Sequence, residues 1–140
     1  MTVIDAKDMI IGRMATDIAK RALMGEQIDI VNCEQAVITG RKEEILAKFR
    51  QRRVRGIPLK GPYFPRTSDR IVRRIIRGML PYKQEKGRTA YKRIMCYIGV
   101  PEKFKEEKPE TNKEANYSRL NNMKYLRVGD VSKTLGLKGE

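Results

Sequence analysis

VIDAKDMIIGRMATDIAKRALMGEQIDIV, residues 3–31, reads as a strand, a helix and a second strand. Val3 and Ile4 open an extended run that ends at Asp5. Ile11, Met14, Ala15, Ile18, Ala22 and Leu23 then keep helical period until Gly25 supplies a C-cap. Ile28, Ile30 and Val31 make the next strand. A βαβ unit of this length joins parallel strands by a right-handed crossover, which predicts an α/β protein of stacked layers.

Downstream, residues 36–39 form a third apolar run. The four residues between it and the second strand are too few for a parallel crossover, so local propensity predicts a hairpin. Gly40 turns the chain into a helix carrying Ile45, Leu46 and Phe49 on one side, while Arg50, Arg52, Arg53 and Arg55 crowd its far end. Compensation of the helix dipole, at ~0.3–1 kcal/mol each, accounts for one or two of these cations, not four. The stretch GIPLKGPYFPR, residues 56–66, holds three prolines and two glycines and must be an irregular loop with fixed bends. In it Lys60, Tyr63, Phe64 and Arg66 interleave charge with aromatic faces. That combination suits phosphates and exposed bases, or else the two rings pin the loop to the core.

A helix from about Ser68 is predicted by Ile71, Val72, Ile75, Ile76 and Met79 on one face. Arg70, Arg73, Arg74 and Arg77 stack on another face, at i, i+3, i+4 and i+7. Pro81 stops the helix, and Lys83, Lys86, Arg88, Lys92 and Arg93 follow in what reads as a loop kept supple by Gly87, before a strand over residues 94–98. From Arg66 to Arg93 there are ten basic and two acidic residues. Like charges at i, i+4 destabilise a helix by about 0.2–0.5 kcal/mol per pair, so an uncompensated cationic ridge implies an anionic partner rather than an ordinary solvated face.

Composition narrows the class. The chain has 140 residues, a net charge of +14 and a pI near 10, which points first to nucleic acid, with membrane surfaces as the competitor. No apolar run has transmembrane length and no leader pattern is present, so a cytoplasmic protein is expected. The absence of histidine removes the commonest general base and metal ligand. Cys33 and Cys96 sit in apolar strand-like settings and read as core thiols, not as a bridge or zinc site. TGRK, residues 39–42, lies where a phosphate loop would, but lacks the G-x-x-x-x-G-K-[ST] spacing; GIPLKGP has Pro62 in place of the lysine. No nucleophile and base pair is available. The strand-to-helix turns at Gly12 and Gly40 still offer N–H groups to an anion, beside Arg13, Arg41 and Lys42.

After Pro101, EKFKEEKPETNKEAN carries nine nearly balanced charges and reads as a mobile linker or weakly held excursion. Leu120, Met123, Leu126, Val128, Val131, Leu135 and Leu137 then restore some hydrophobicity, enough for short elements that dock on the core or on a neighbour. The two basic loops and this segment bury little apolar surface, so they are expected to order only when a nucleic acid neutralises them.

VIDA with GRMAT after it, IVN followed by VITGRK, KGPYFPRTSDRIVRRIIRGMLPYK, and GRTAYKR leading to YIGVP form an ordered set over residues 3–101. This set resembles the universal large-ribosomal-subunit protein family numbered thirteen, in its archaeal and eukaryotic branch, and the compact length favours archaea. The resemblance implies a three-layer α/β/α sandwich with a small, largely parallel four-stranded sheet, which replaces the hairpin. It implies a structural, non-enzymatic role: binding and organising large-subunit ribosomal RNA during assembly, beside neighbouring ribosomal proteins. Residues 1–101 would be the RNA-binding core and 102–140 a charged linker and extension. The candidate RNA-binding set comprises Arg13, Arg41, Lys42, Arg50, Arg52, Arg53, Arg55, Lys60, Arg66, Arg70, Arg73, Arg74, Arg77, Lys83, Lys86, Arg88, Lys92 and Arg93. No cofactor, metal, membrane or small-molecule substrate is expected. The rivals are a nucleotide-dependent enzyme using the Gly40 turn and an RNA-binding regulator outside the ribosome.

Overall fold

The computed structural model describes residues 1–136, and Leu137 lies outside them. Strand β1 (Thr2–Asp5), helix α1 (Ile11–Leu23) and strand β2 (Ile28–Val31) form the expected βαβ unit with β1 and β2 parallel. Gly25, at φ 108°, takes the left-handed turn that ends α1, a conformation costly for any residue with a Cβ. Met14, Ala15, Ile18, Ala19 and Ala22 bury one stripe of α1. Strand β4 (Ile94–Cys96) adds to the other edge of β2, so β2 is central and all four of its residues are buried. Ile4, Ile28, Ile30, Ile94 and Cys96 face the helical core, where full burial stabilises by about 1.5–3 kcal/mol per large aliphatic side chain. The opposite face carries Val3 and Val31, covered by Tyr97 and Phe104, whose rings meet edge to face at 5.5 Å.

β3 (Val37–Thr39) does not form a hairpin with β2. Asn32 turns left-handed at φ 55°, and both edges of β2 are already paired, with β1 and β4, so no edge is left for a hairpin partner. The chain leaves the sheet through a short turn at Cys33–Gln35. β3 then pairs antiparallel with β5 (Tyr125–Arg127) and touches the α1 entry through Ile10. The α/β class and the parallel sheet therefore hold. That sheet has three strands instead of four, because β3 takes a partner 86 to 90 residues away that propensity cannot see.

Helices α2 (Lys42–Val54) and α3 (Ser68–Met79) match their sequence reading. The supposed loop after Pro81 is largely a helix, α4 (Glu85–Lys92). Gly87 is buried there, and a Cβ on it would overlap the Pro81 carbonyl, so this glycine permits a close approach instead of flexibility. The chain after β4 is likewise tied to the core. Phe104 and Ala115 are buried, the Asp5 N–H donates to the Glu110 carbonyl at 3.0 Å, and the Glu110 N–H donates to Val3 at 2.8 Å. Residue 110 thus extends the sheet past β1. The chain ends its described course in α5 (Val128–Thr134), with Val128, Val131 and Leu135 in the main core and the Ser132 hydroxyl donating to the Arg66 carbonyl at 2.6 Å.

Candidate nucleic-acid interface

Helix α3 divides its faces cleanly. Ile71, Val72 and Ile76 are fully buried and Ile75 is half-buried, whereas Met79, expected on the apolar stripe, is 42% exposed. Its sulfur instead accepts from the Thr16 hydroxyl on α1 at 3.6 Å. Three arginines of the ridge lie over aromatic rings: Arg73 over Tyr91 at 4.5 Å, Arg74 over Phe64 at 5.0 Å and Arg77 over Tyr82 at 4.8 Å. A guanidinium lying over a ring can still present in-plane N–H groups, the edge that grips phosphate, although the Nε of Arg73 is buried without a partner. Arg70 is exposed. Among the described residues none of the four forms an ion pair. With Tyr63, Phe64, Arg66 and Tyr91 they line an open groove of about 650 Å³.

The two loop aromatics divide the roles that were open for them. Phe64 is half-buried, meets Phe49 edge to face at 5.8 Å, and lies beneath both Arg52 and Arg74, so it pins the loop. Tyr63 is 70% exposed. The loop itself is built: Ile57 and Gly61 exchange backbone hydrogen bonds at 3.1 and 2.8 Å, and Arg74 donates to the Tyr63 carbonyl at 3.3 Å.

Other candidates separate by position. Arg50, Arg52, Arg55, Lys60, Lys83, Lys86, Arg88 and Lys92 are exposed, with Arg88 also donating to the Lys83 carbonyl at 2.9 Å. Arg53 donates to the Leu135 carbonyl at 2.6 Å and Arg93, half-buried, to the Ala22 carbonyl at 3.4 Å, so both satisfy helix C-terminal groups. Arg13 and Arg41 line a second groove, of about 500 Å³, while exposed Lys42 opens α2. Arg13 donates to the Glu114 carbonyl at 3.3 Å and Arg41 lies 3.6 Å from Glu44. Arg119 and Lys124 complete this groove and were missed in the sequence, because they sit in a stretch without periodicity.

Cys33 and Cys96 are buried and unbridged. A hydrogen bond with Cys96, together with burial, holds the Cys33 thiol well above its usual range, which disfavours the reactive thiolate. Among the described residues no cluster of three His, Cys, Asp or Glu could hold a metal. Elsewhere Arg21 joins Glu26 at 2.7 Å and Glu110 at 2.9 Å, and hydrogen bonds from Arg21 and then Thr2 hold the Glu26 carboxyl at about 2.

These features define a basic α/β protein with one face that gathers guanidinium groups without ion-pair partners among the described residues. The family model described as ribosomal protein L13 matches residues 1–103. A relative from Methanosarcina barkeri, "Large ribosomal subunit protein uL13", is 47% identical over 99% of both chains. Proteins of the same name from Methanopyrus kandleri and Methanocaldococcus jannaschii are 47% and 45% identical, covering 96% and 99% of this chain and 86% and 99% of their own length. The chain belongs to the ribosomal protein L13 family, in its archaeal type. This is a family of ribosomal structural proteins, not of enzymes.

Proposed function

We propose that this chain is a structural constituent of the large ribosomal subunit, in the cytoplasm, that binds and organises large-subunit ribosomal RNA beside neighbouring ribosomal proteins. The observation that carries this reading is the α3 ridge, four arginines on one face without an ion-pair partner among the described residues and three of them stacked on rings. Such pre-set forks need little ordering when phosphates arrive, and each phosphate they neutralise releases counterions. Residues 1–101 are the RNA-binding core in this reading. The chain after them adds Arg119 and Lys124 to a second groove, so that one rigid body holds separate RNA segments in a defined arrangement. Catalysis has no part in it, and neither a small molecule nor a membrane is required.

Fluorescence anisotropy with a large-subunit RNA fragment tests the proposal. Replacing Arg70 and Arg74 together with glutamine should weaken binding and flatten the dependence of log affinity on log salt by roughly 0.7–0.9 for each phosphate left without its arginine. Unchanged affinity and slope would contradict it.

A further inference from the structure

Residues 45–68 contain seven lysines and arginines and no acidic residue, yet the same stretch exposes several large apolar side chains. Val54 is 80% exposed, Ile57 61% and Leu59 90%, next to Tyr63 at 70%. Exposed apolar side chains gathered within ten residues of a strongly basic segment are a candidate interaction surface. Its charge limits the partner to a polyanion, and its apolar side chains require that the polyanion also offer flat or apolar faces. An RNA duplex presents phosphates but hides its base faces in the stack. Unpaired RNA presents both.

Tyr63 has the geometry of a stacking shelf. Its hydroxyl donates to the Pro58 carbonyl at 2.6 Å, and a Cβ placed on Gly61 would stand 3.2 Å from its Cδ2 and Cε2, so the ring lies close against a residue without a side chain. Arg74 donates to its carbonyl. The hydroxyl is already used within the loop, so the open ring is what remains on offer. A ring held in advance loses little freedom when a base stacks on it. We infer that the arm formed by residues 54–63 engages an unpaired RNA segment and stacks a base on Tyr63, at the edge of the arginine groove whose guanidinium groups hold the adjoining phosphates. This inference rests on the RNA-binding reading above and specifies which kind of RNA that surface takes.

The test compares the full chain with Tyr63→Leu, Tyr63→Phe and the Arg70→Gln/Arg74→Gln pair. The probes are a short unpaired RNA containing a fluorescent adenine analogue and the duplex of the same sequence. Tyr63→Leu should lose about ten-fold or more in affinity for the unpaired RNA and abolish the stacking quench of the analogue, with a far smaller loss on the duplex and the same salt slope. Tyr63→Phe, which keeps the ring, should retain the quench. The arginine pair should weaken both RNAs and lower the slope. Equal losses on duplex and unpaired RNA with Tyr63→Leu would overturn the inference while leaving the RNA-binding reading intact. Unchanged affinity for the unpaired RNA would also overturn it, and would assign the arm to an acidic, apolar segment of a neighbouring protein. An arginine pair without effect on either RNA would instead overturn the RNA-binding reading.

Discussion

Gly87 sits where α4 crosses the turn after α3, with the Pro81 carbonyl directly over its Cα. Gly87→Ala therefore forces two backbones apart, and overpacking of this kind costs about 1–3 kcal/mol. Gly78, inside α3, has open space where a Cβ would go. Gly78→Ala should leave stability unchanged or raise it by about 0.5–1 kcal/mol, since glycine is the poorer helix former. Urea unfolding of the two variants, side by side, separates a glycine needed for close approach from one that is not. A second prediction concerns Glu26, whose carboxyl titrates at about 2 in the fold against an ordinary 4.5 because Arg21 and Thr2 donate to it. A depressed carboxylate pKa contributes stability that is fully present above about 4.5 and lost as pH falls toward 2. Glu26→Gln should therefore lower stability at neutral pH and remove part of the loss between those two values. Parallel pH profiles of native and variant protein would contradict the assignment.

At the scale of elements, Phe104 decides whether the chain after β4 belongs to the fold. It closes the outer face of the sheet on Val3 and Val31, and Phe104→Ala should cost about 3–5 kcal/mol in a urea titration. A loss below about 1 kcal/mol would mean that the segment is only loosely attached. How far the sequence discloses such elements depends on how they bury themselves. α1 and α3 were legible because each lays several aliphatic side chains on one stripe, and β1, β2 and β4 because their apolar runs are bounded by turns. α4 was not legible, since its buried residues are only Gly87 and Ala90 and the rest is charge or hydroxyl. The pairing of β3 with β5 was hidden for another reason, namely that both strands are three residues long and their register depends on chain closure across the whole fold. Site residues followed the same rule. The α3 ridge was visible in its spacing, but Arg53 and Arg93 looked like their basic neighbours until their carbonyl partners came into view, and Arg119 and Lys124 had no pattern at all.

Across the whole molecule, charge and order are coupled less tightly than composition suggests. A net charge of +14 and sparse apolar content in the basic segments predict ordering only on RNA, yet α4 is packed through Gly87 and the residue-110 segment is hydrogen-bonded to β1. Hydrogen exchange on the free protein should accordingly find protected amides in α4 and at Asp5 and Glu110 before any RNA is added. Full exchange there at the intrinsic rate would restore coupled ordering as the better description. We propose that the α3 face is what holds this protein in the large subunit. This is tested most directly by expressing tagged native and Arg70→Gln/Arg74→Gln chains beside the untagged copy and sedimenting the lysate through sucrose. Tagged native protein should travel almost wholly with large subunits, while the variant, folded by circular dichroism, shifts toward the free fractions. Equal co-sedimentation of both would contradict it.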